Sequence, residues 1–317
     1  MKENKYWLFP LFTDHDNYDR GMDKFTDFHL YTGSQCNRQC DFCIVSGRPD
    51  GWYAPLTEEI LDAALELVPA DGTIKFYGGE PTIDHKNLIW AIKYLRAKDF
   101  HGWFTVFSNG ILAERVIDIL EADKKTDVVL NYSILHGLDA DPIPPLSLRI
   151  LKEYEADNPN RLYASHAGVF PFGRGVEFVE KVGEHHVIER METSFDKKKE
   201  IGEIDEEAAE AARKNGFRSC PKCRPVLRSD GRFHACPFAV ESDSRHYDLG
   251  RLGKTSETEV VENFQKFLDW VDETLEPEAA RRDIHPCLVC THHLEKLPAF
   301  RDTELKRKRS SLLELIT

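Results

Sequence analysis

The sequence predicts an α/β fold in which successive parallel strands are joined by helices, followed by a smaller α+β appendage. Three observations carry this expectation. Between residues 25 and 195, segments with strand character alternate with segments of helical periodicity. Several of the presumed strands run straight into cysteine, glycine or asparagine, at the strand ends where chemistry gathers in parallel α/β folds. The chain has 317 residues, 41% of them hydrophobic, enough to bury one large domain and a smaller one.

Taken in order, residues 25–32 read as a strand that ends in a cysteine loop. Residues 56–68 read as a helix, with Thr57 as N-cap and Glu58 and Glu59 well placed in its first turn. A strand at 73–77 ends at Gly78-Gly79, and a helix at 87–98 follows. The alternation continues with strands at 103–107, 128–134, 162–170 and 186–191, and helices at 113–122, 146–155 and 176–182. Six strands spaced in this way imply parallel βαβ units. A single barrel would bring the cysteine loop, Gly78-Gly79, Ser108-Asn109-Gly110 and Ser133 to one mouth. Ser108-Asn109-Gly110 reads equally well as an ordinary turn.

Beyond this core, residues 196–205 are charged and aperiodic, as in a linker, and 206–215 are helical. Residues 225–236 suggest a hairpin around Asp230-Gly231, and 260–275 an amphipathic helix leading to a loop with Cys287 and Cys290. The expected organisation is an N-terminal extension (1–24), a core (25–195), a linker and helix (196–215), a cysteine-bearing domain (216–296) and a tail (297–317).

Charge and composition narrow the function. The formal net charge of −13 disfavours a nucleic-acid partner, and the short runs Lys197-Lys198-Lys199 and Lys306-Arg307-Lys308-Arg309 read as solvated segments. No apolar run is long enough for a transmembrane helix, and Met1 to Pro10 lacks a signal-peptide pattern, so a cytoplasmic protein is expected. The eight cysteines fall in tight groups, which suits metal ligation better than a disulfide scaffold.

Cys36-x3-Cys40-x2-Cys43 places three thiolates on one loop. A 4Fe–4S cluster held by three protein ligands keeps one iron open. A closed zinc site would need a fourth ligand, for which only Asp41 lies close in sequence. The run Cys36-Asn37-Arg38-Gln39-Cys40-Asp41-Phe42-Cys43, with Gly78-Gly79-Glu80-Pro81 after the second strand, resembles the radical SAM superfamily over about residues 25–195. The resemblance implies a partial (β/α)6 TIM-like barrel. It also implies that the open iron chelates S-adenosylmethionine (SAM), whose reductive cleavage gives methionine and a 5′-deoxyadenosyl radical that abstracts hydrogen from a substrate. Gly78, Gly79, Glu80 and Pro81 would contact SAM, joined by Ser133, Asn109 and Arg149. A flavodoxin- or ferredoxin-type reductant would supply the electron. No catalytic side chain is assigned; His136, Asp139, His166 and Glu189 are candidates facing the mouth, and each reads equally as a satisfied polar residue.

The second group is Cys220-x2-Cys223, Cys236 and Cys287-x2-Cys290. It resembles the twitch and SPASM extensions of the same superfamily, which implies an auxiliary 4Fe–4S cluster. Five cysteines suffice for one such cluster and not for two. Cys220, Cys236, Cys287 and Cys290 are the expected ligands, with Cys223 as an alternative. A zinc ribbon of Cys220, Cys223, Cys287 and Cys290 is the competing arrangement, and His285, His292 and His293 flank its second pair. The expected function is oxidation or cross-linking of a small metabolite or ribosomal peptide, with the auxiliary cluster as electron acceptor. The start of the core near Phe25 leaves no room for a leader-binding domain and tilts the choice towards a small molecule. A nucleic-acid-modifying member of the superfamily and a zinc-ribbon binding protein on a degenerate barrel are the alternatives.

Overall fold

The computed structural model describes residues 23–131, 143–166, 170, 172–177, 191–194, 224–282 and 286–294. The core strands are β1 (Asp27–Tyr31), β2 (Thr73–Tyr77), β3 (Trp103–Ser108), β4 (Thr126–Asn131) and β5 (Leu162–His166). They alternate with α1 (Glu58–Leu67), α2 (His85–Ala97), α3 (Ala113–Ala122) and α4 (Pro145–Asp157). Thr57 caps α1 by accepting from the Ile60 amide, and Asp84 caps α2 from the Asn87 amide. All four pairings from β1 to β5 are parallel and follow chain order.

The strand residues sort into two clusters by the two-residue period of the pleat. Phe28, Leu30, Ile74, Phe76, Phe104, Val106, Val128 and Leu130 face the helices and pack with Leu61, Leu88, Ile92, Val116, Ile119 and Leu151. Their alternates Tyr31, Tyr77, Phe107 and Val129 form a second cluster on the inner face, with Val45, Val226 and Val240. One step closer to the strand starts, His29, Lys75, Thr105 and Asp127 stand side by side in register. This polar row is tied together by charge. Burial pushes the Asp27 carboxyl up, but Lys75 at 2.6 Å, Arg224 and His29 outweigh it and hold it at about 2. Asp127 behaves oppositely: burial pushes its carboxyl up to about 6 in spite of Thr105, Lys75 and Arg161.

Two expectations from sequence are corrected here. The sixth strand is β6 (Met191–Ser194), later than expected, and it runs antiparallel to β5. Such an edge pairing needs no right-handed crossover and closes a mostly parallel sheet. The hairpin around Asp230-Gly231 does form, as β7 (Val226–Arg228) and β8 (Arg232–His234), with Gly231 at φ +81° in the turn. It continues the core sheet instead of standing apart. β7 pairs parallel to β1, β8 pairs with β7, and β9 (Asp248–Arg251) pairs with β8, giving nine strands in the order β6-β5-β4-β3-β2-β1-β7-β8-β9. The expected linker at 196–215 lies outside the described residues.

The last helices follow. α5 (Glu257–Trp270) opens with a capping box between Ser256 and Glu259 and buries Val260, Phe264, Phe267 and Leu268. Phe264 meets Phe25 edge-on at 5.2 Å, which ties this helix to the start of the core. A π-helical turn (Val271–Leu275) links α5 to α6 (Glu276–Arg282). Cys287 and Cys290, expected on a loop, stand on the helix α7 (Pro286–Leu294). Proline suits a first helical position because its missing N–H would have no partner there.

Candidate metal and cofactor site

The cysteine loop leaves the C-terminal end of β1 and is pinned at several points. Gly33 bridges Tyr53 and Gln35 bridges Arg48. The Cys36 amide donates to Arg48 O at 2.9 Å, and the Cys43 amide to Cys40 O at 3.2 Å. The end of β2 is clamped to the same loop, because Gly79 N donates to Gly33 O and Glu80 N to Gln35 O. A Cβ on Gly79 would lie 2.2 Å from Gln35 O, so the contact requires glycine. Gly78 is also tightly set, with a Cβ there 2.7 Å from Thr32 Oγ1 and 2.8 Å from Gly33 O.

Glu80 is fully inside. Its carboxylate accepts from Thr82 N, Thr82 Oγ1, Ser108 Oγ and Asn109 N at 2.6–3.1 Å. Burial pushes its pKa up against these four donors. Glu80 therefore joins the turn after β2, where Pro81 starts a 3₁₀ helix, to the end of β3. Asn109, on that β3 end, reaches the cysteines: its Nδ2 donates to Asn37 Oδ1 at 2.7 Å and lies 3.8 Å from Cys36 Sγ. Its Oδ1 accepts from Ile111 N, so Ser108-Asn109-Gly110 is a turn and a contact to the loop at once.

Cys36, Cys40 and Cys43 thus sit at the C-terminal ends of β1–β3, with Gly79, Glu80 and Asn109. Cys36 is buried, while Cys40 and Cys43 are partly exposed. Two sulfurs accept backbone N–H groups, Cys36 from Arg38 at 3.3 Å and Cys43 from Gly47 at 3.2 Å. A Cβ on Gly47 would fall 3.2–3.4 Å from Gly79 Cα, Cys36 Cβ and Cys43 Sγ. Burial, with Glu80 and the neighbouring thiols adding to it, pushes Cys36 up to about 12. Burial also raises Cys40, against the pull of Arg38 and Arg174. Such thiols ionise when a metal supplies the compensating charge. Among the described residues no three His, Cys, Asp or Glu side chains converge on a point suited to one ion. An iron–sulfur cluster takes its cysteines on separate irons. The donor set, its sulfur-directed N–H groups and its partly open side fit the cluster.

Other residues singled out from sequence fall elsewhere. Arg149 is exposed on α4 beside Glu153, and the structure does not bring it to the cysteines. Ser133, His136, Asp139, Glu189, Cys220, Cys223 and His285 lie outside the described residues. Cys236, Cys287 and Cys290 are all buried within the main apolar cluster.

Two features escaped sequence reading. Arg174, in Phe172-Gly173-Arg174-Gly175, bonds the cysteine loop through Nε to Cys40 O and Nη2 to Gly47 O. An arginine flanked by two glycines was the available signal. Glu241, five residues after Cys236, accepts from Tyr31 Oη and from Trp52 Nε1 on the inner face. Tyr77 Oη likewise donates to Pro237 O, so the segment after Cys236 covers the upper aromatic row of the sheet.

Comparison with known proteins agrees with this geometry. Residues 30–155 match the family model described as the radical SAM superfamily. The structure of BtrN in complex with AdoMet and 2-DOIA superposes with a TM-score of 0.51 at 14% identity, over 83% of this chain and 92% of that one. Histidine-tagged anSMEcpe with bound AdoMet gives a TM-score of 0.50 at 15% identity, over 76% and 79% of the two chains. No curated protein sequence matches this chain. The fold is accordingly that of a partial (β/α)6 barrel, extended at its β1 edge by the hairpin and helices of the C-terminal region.

Proposed function

We propose that this protein is a radical SAM enzyme with two 4Fe–4S clusters, oxidising or cross-linking a small metabolite or a peptide. The observation that carries the proposal is the loop of Cys36, Cys40 and Cys43, clamped against Gly79 and Asn109 at the mouth of the parallel strands. The cluster would supply an open iron for SAM and the electron that cleaves it to a hydrogen-abstracting radical. This chain's residues do the rest. The three thiolates leave one side uncovered for a ligand. Gly79 lets the β2 end approach the loop at backbone distance, and Glu80 fixes the β2 and β3 ends relative to each other.

Buried Cys236, Cys287 and Cys290, with Cys220 or Cys223, would hold the auxiliary cluster. The neighbour whose structure contains AdoMet and 2-DOIA supports a small-molecule substrate. Glu241, Trp52 and Tyr31 then line the inner face on which it would rest. Flavodoxin- or ferredoxin-type proteins are the proposed electron donors. Among the described residues no helix is long and apolar enough to cross a membrane, and the net charge of −13 disfavours nucleic acid.

The test is anaerobic reconstitution followed by iron and sulfide analysis, with dithionite-dependent 5′-deoxyadenosine release from SAM. The wild type should hold about eight irons, and the variant with Cys36, Cys40 and Cys43 all changed to alanine about four with no release. About four irons with equimolar zinc in the wild type would replace the auxiliary cluster by a zinc site. No iron and no release would sink the proposal.

A further inference from the structure

Arg174 is 5% exposed and carries a positive charge into the protein. Its Nε donates to Cys40 O at 2.8 Å, its Nη2 to Gly47 O at 2.6 Å and its backbone N to Cys43 O at 3.0 Å. All three acceptors are carbonyls of the cysteine loop. Among the described residues no carboxylate pairs with this guanidinium. A buried cation without a counter-anion is costly. The approach is built for it: Gly173 has φ +54°, and a Cβ there would lie 2.6 Å from Cys43 O and Ile44 O. Arg38, within the loop, bonds the Cys40 side chain, so two guanidinium groups flank this cysteine.

The anion that belongs beside Arg174 is the cluster itself, since three thiolates outweigh the charge of an oxidised 4Fe–4S core. Reduction by one electron from the external donor adds a further negative charge and changes no bond. A fixed cation nearby favours the reduced form, through a field that burial leaves poorly screened. Hydrogen bonds and net charge around such clusters are known determinants of their potentials.

We propose that Arg174 is the positioning residue that raises the reduction potential of the cluster on Cys36, Cys40 and Cys43 and latches the loop that holds it. The proposal rests on the reading of that triplet as an iron–sulfur site. Two functions are separable, charge and hydrogen bonding. Lysine keeps the charge and loses the forked donation, glutamine keeps a donor and loses the charge, and methionine loses both.

The experiment is an EPR-monitored redox titration of the reconstituted full chain without SAM. The signal of the variant lacking Cys36, Cys40 and Cys43 is subtracted to remove the auxiliary cluster. Iron release to a chelator is followed in parallel. Arg174→Lys should titrate as the wild type but release iron faster. Arg174→Gln and Arg174→Met should titrate lower, with the reduced-to-oxidised ratio at the wild-type midpoint falling about tenfold, which is about 59 mV for one electron. Should the methionine variant hold no cluster, the glutamine variant carries the measurement. Wild-type potentials in the charge-free variants would overturn the proposal while leaving the cluster reading intact. A wild type without any cluster would overturn both.

Discussion

The two cysteine groups are built on opposite plans. In the first, three cysteines lie within eight residues, on a loop that follows one strand and is gripped by the ends of the next two. In the second, Cys236 follows an edge hairpin, Cys287 and Cys290 stand on a helix about fifty residues later, and all three are buried in apolar surroundings. The first group keeps Cys40 and Cys43 partly open, as the proposed cluster would need in order to admit a ligand. In the second group Cys236, Cys287 and Cys290 are all buried. Local sequence builds the first site. Cys236, Cys287 and Cys290 join one apolar cluster only once the helices have docked on the extended sheet.

That contrast can be broken by experiment. The largest effect is expected from Phe264→Ala, which removes the ring set against Phe25 and should cost about 3–5 kcal/mol in denaturant unfolding. If the C-terminal region folds with the core sheet, one cooperative transition shifts; two separate transitions would show independent units. Gly79→Ala should come next, at about 2–3 kcal/mol, because a methyl 2.2 Å from Gln35 O forces the loop to move. Its sharper signature is loss of about half the reconstituted iron, with the auxiliary share retained. Loss of all the iron would mean that the two sites are not independent.

The polar row on the inner face sharpens the comparison from another side. Asp127 has a folded-state value of about 6, above its unfolded one, so its protonated form is favoured in the fold. Its contribution is full below the unfolded value and is lost as pH rises through about 6. Asp127→Asn should therefore stabilise the protein at pH 8 relative to pH 5, by about 1.4 kcal/mol. Equal effects at both pH values would show that Asp127 is charged throughout. The smallest effect is expected from Gly231→Ala, where the residue adopts φ +81° and a Cβ would meet only Leu252 Cβ at 3.4 Å, at about 1 kcal/mol with iron content unchanged.

Much of the core was legible because its signals are local. The β2, β3 and α3 positions follow from alternation and periodicity, and the Thr57 cap from a short polar side chain before an apolar run. The sixth strand was misplaced because an edge strand need not follow the βαβ rhythm. Cys287 and Cys290 were given a loop because two apolar residues between cysteines say nothing about helix or turn. Arg174 was invisible for a different reason. Its two side-chain partners are carbonyls 134 and 127 residues away, and backbone atoms carry no sequence signature.

By itself the sequence determined the parallel α/β character, the triplet of thiolates and the glycines beside it, since each depends on residue type and short spacing. The tertiary structure alone decided that the hairpin extends the core sheet through β7 and that Glu80 links two strand ends. It also decided that Arg174 closes over the cysteine loop. Those contacts join segments far apart in the chain, and their geometry exists only after the strands have paired and the core has packed.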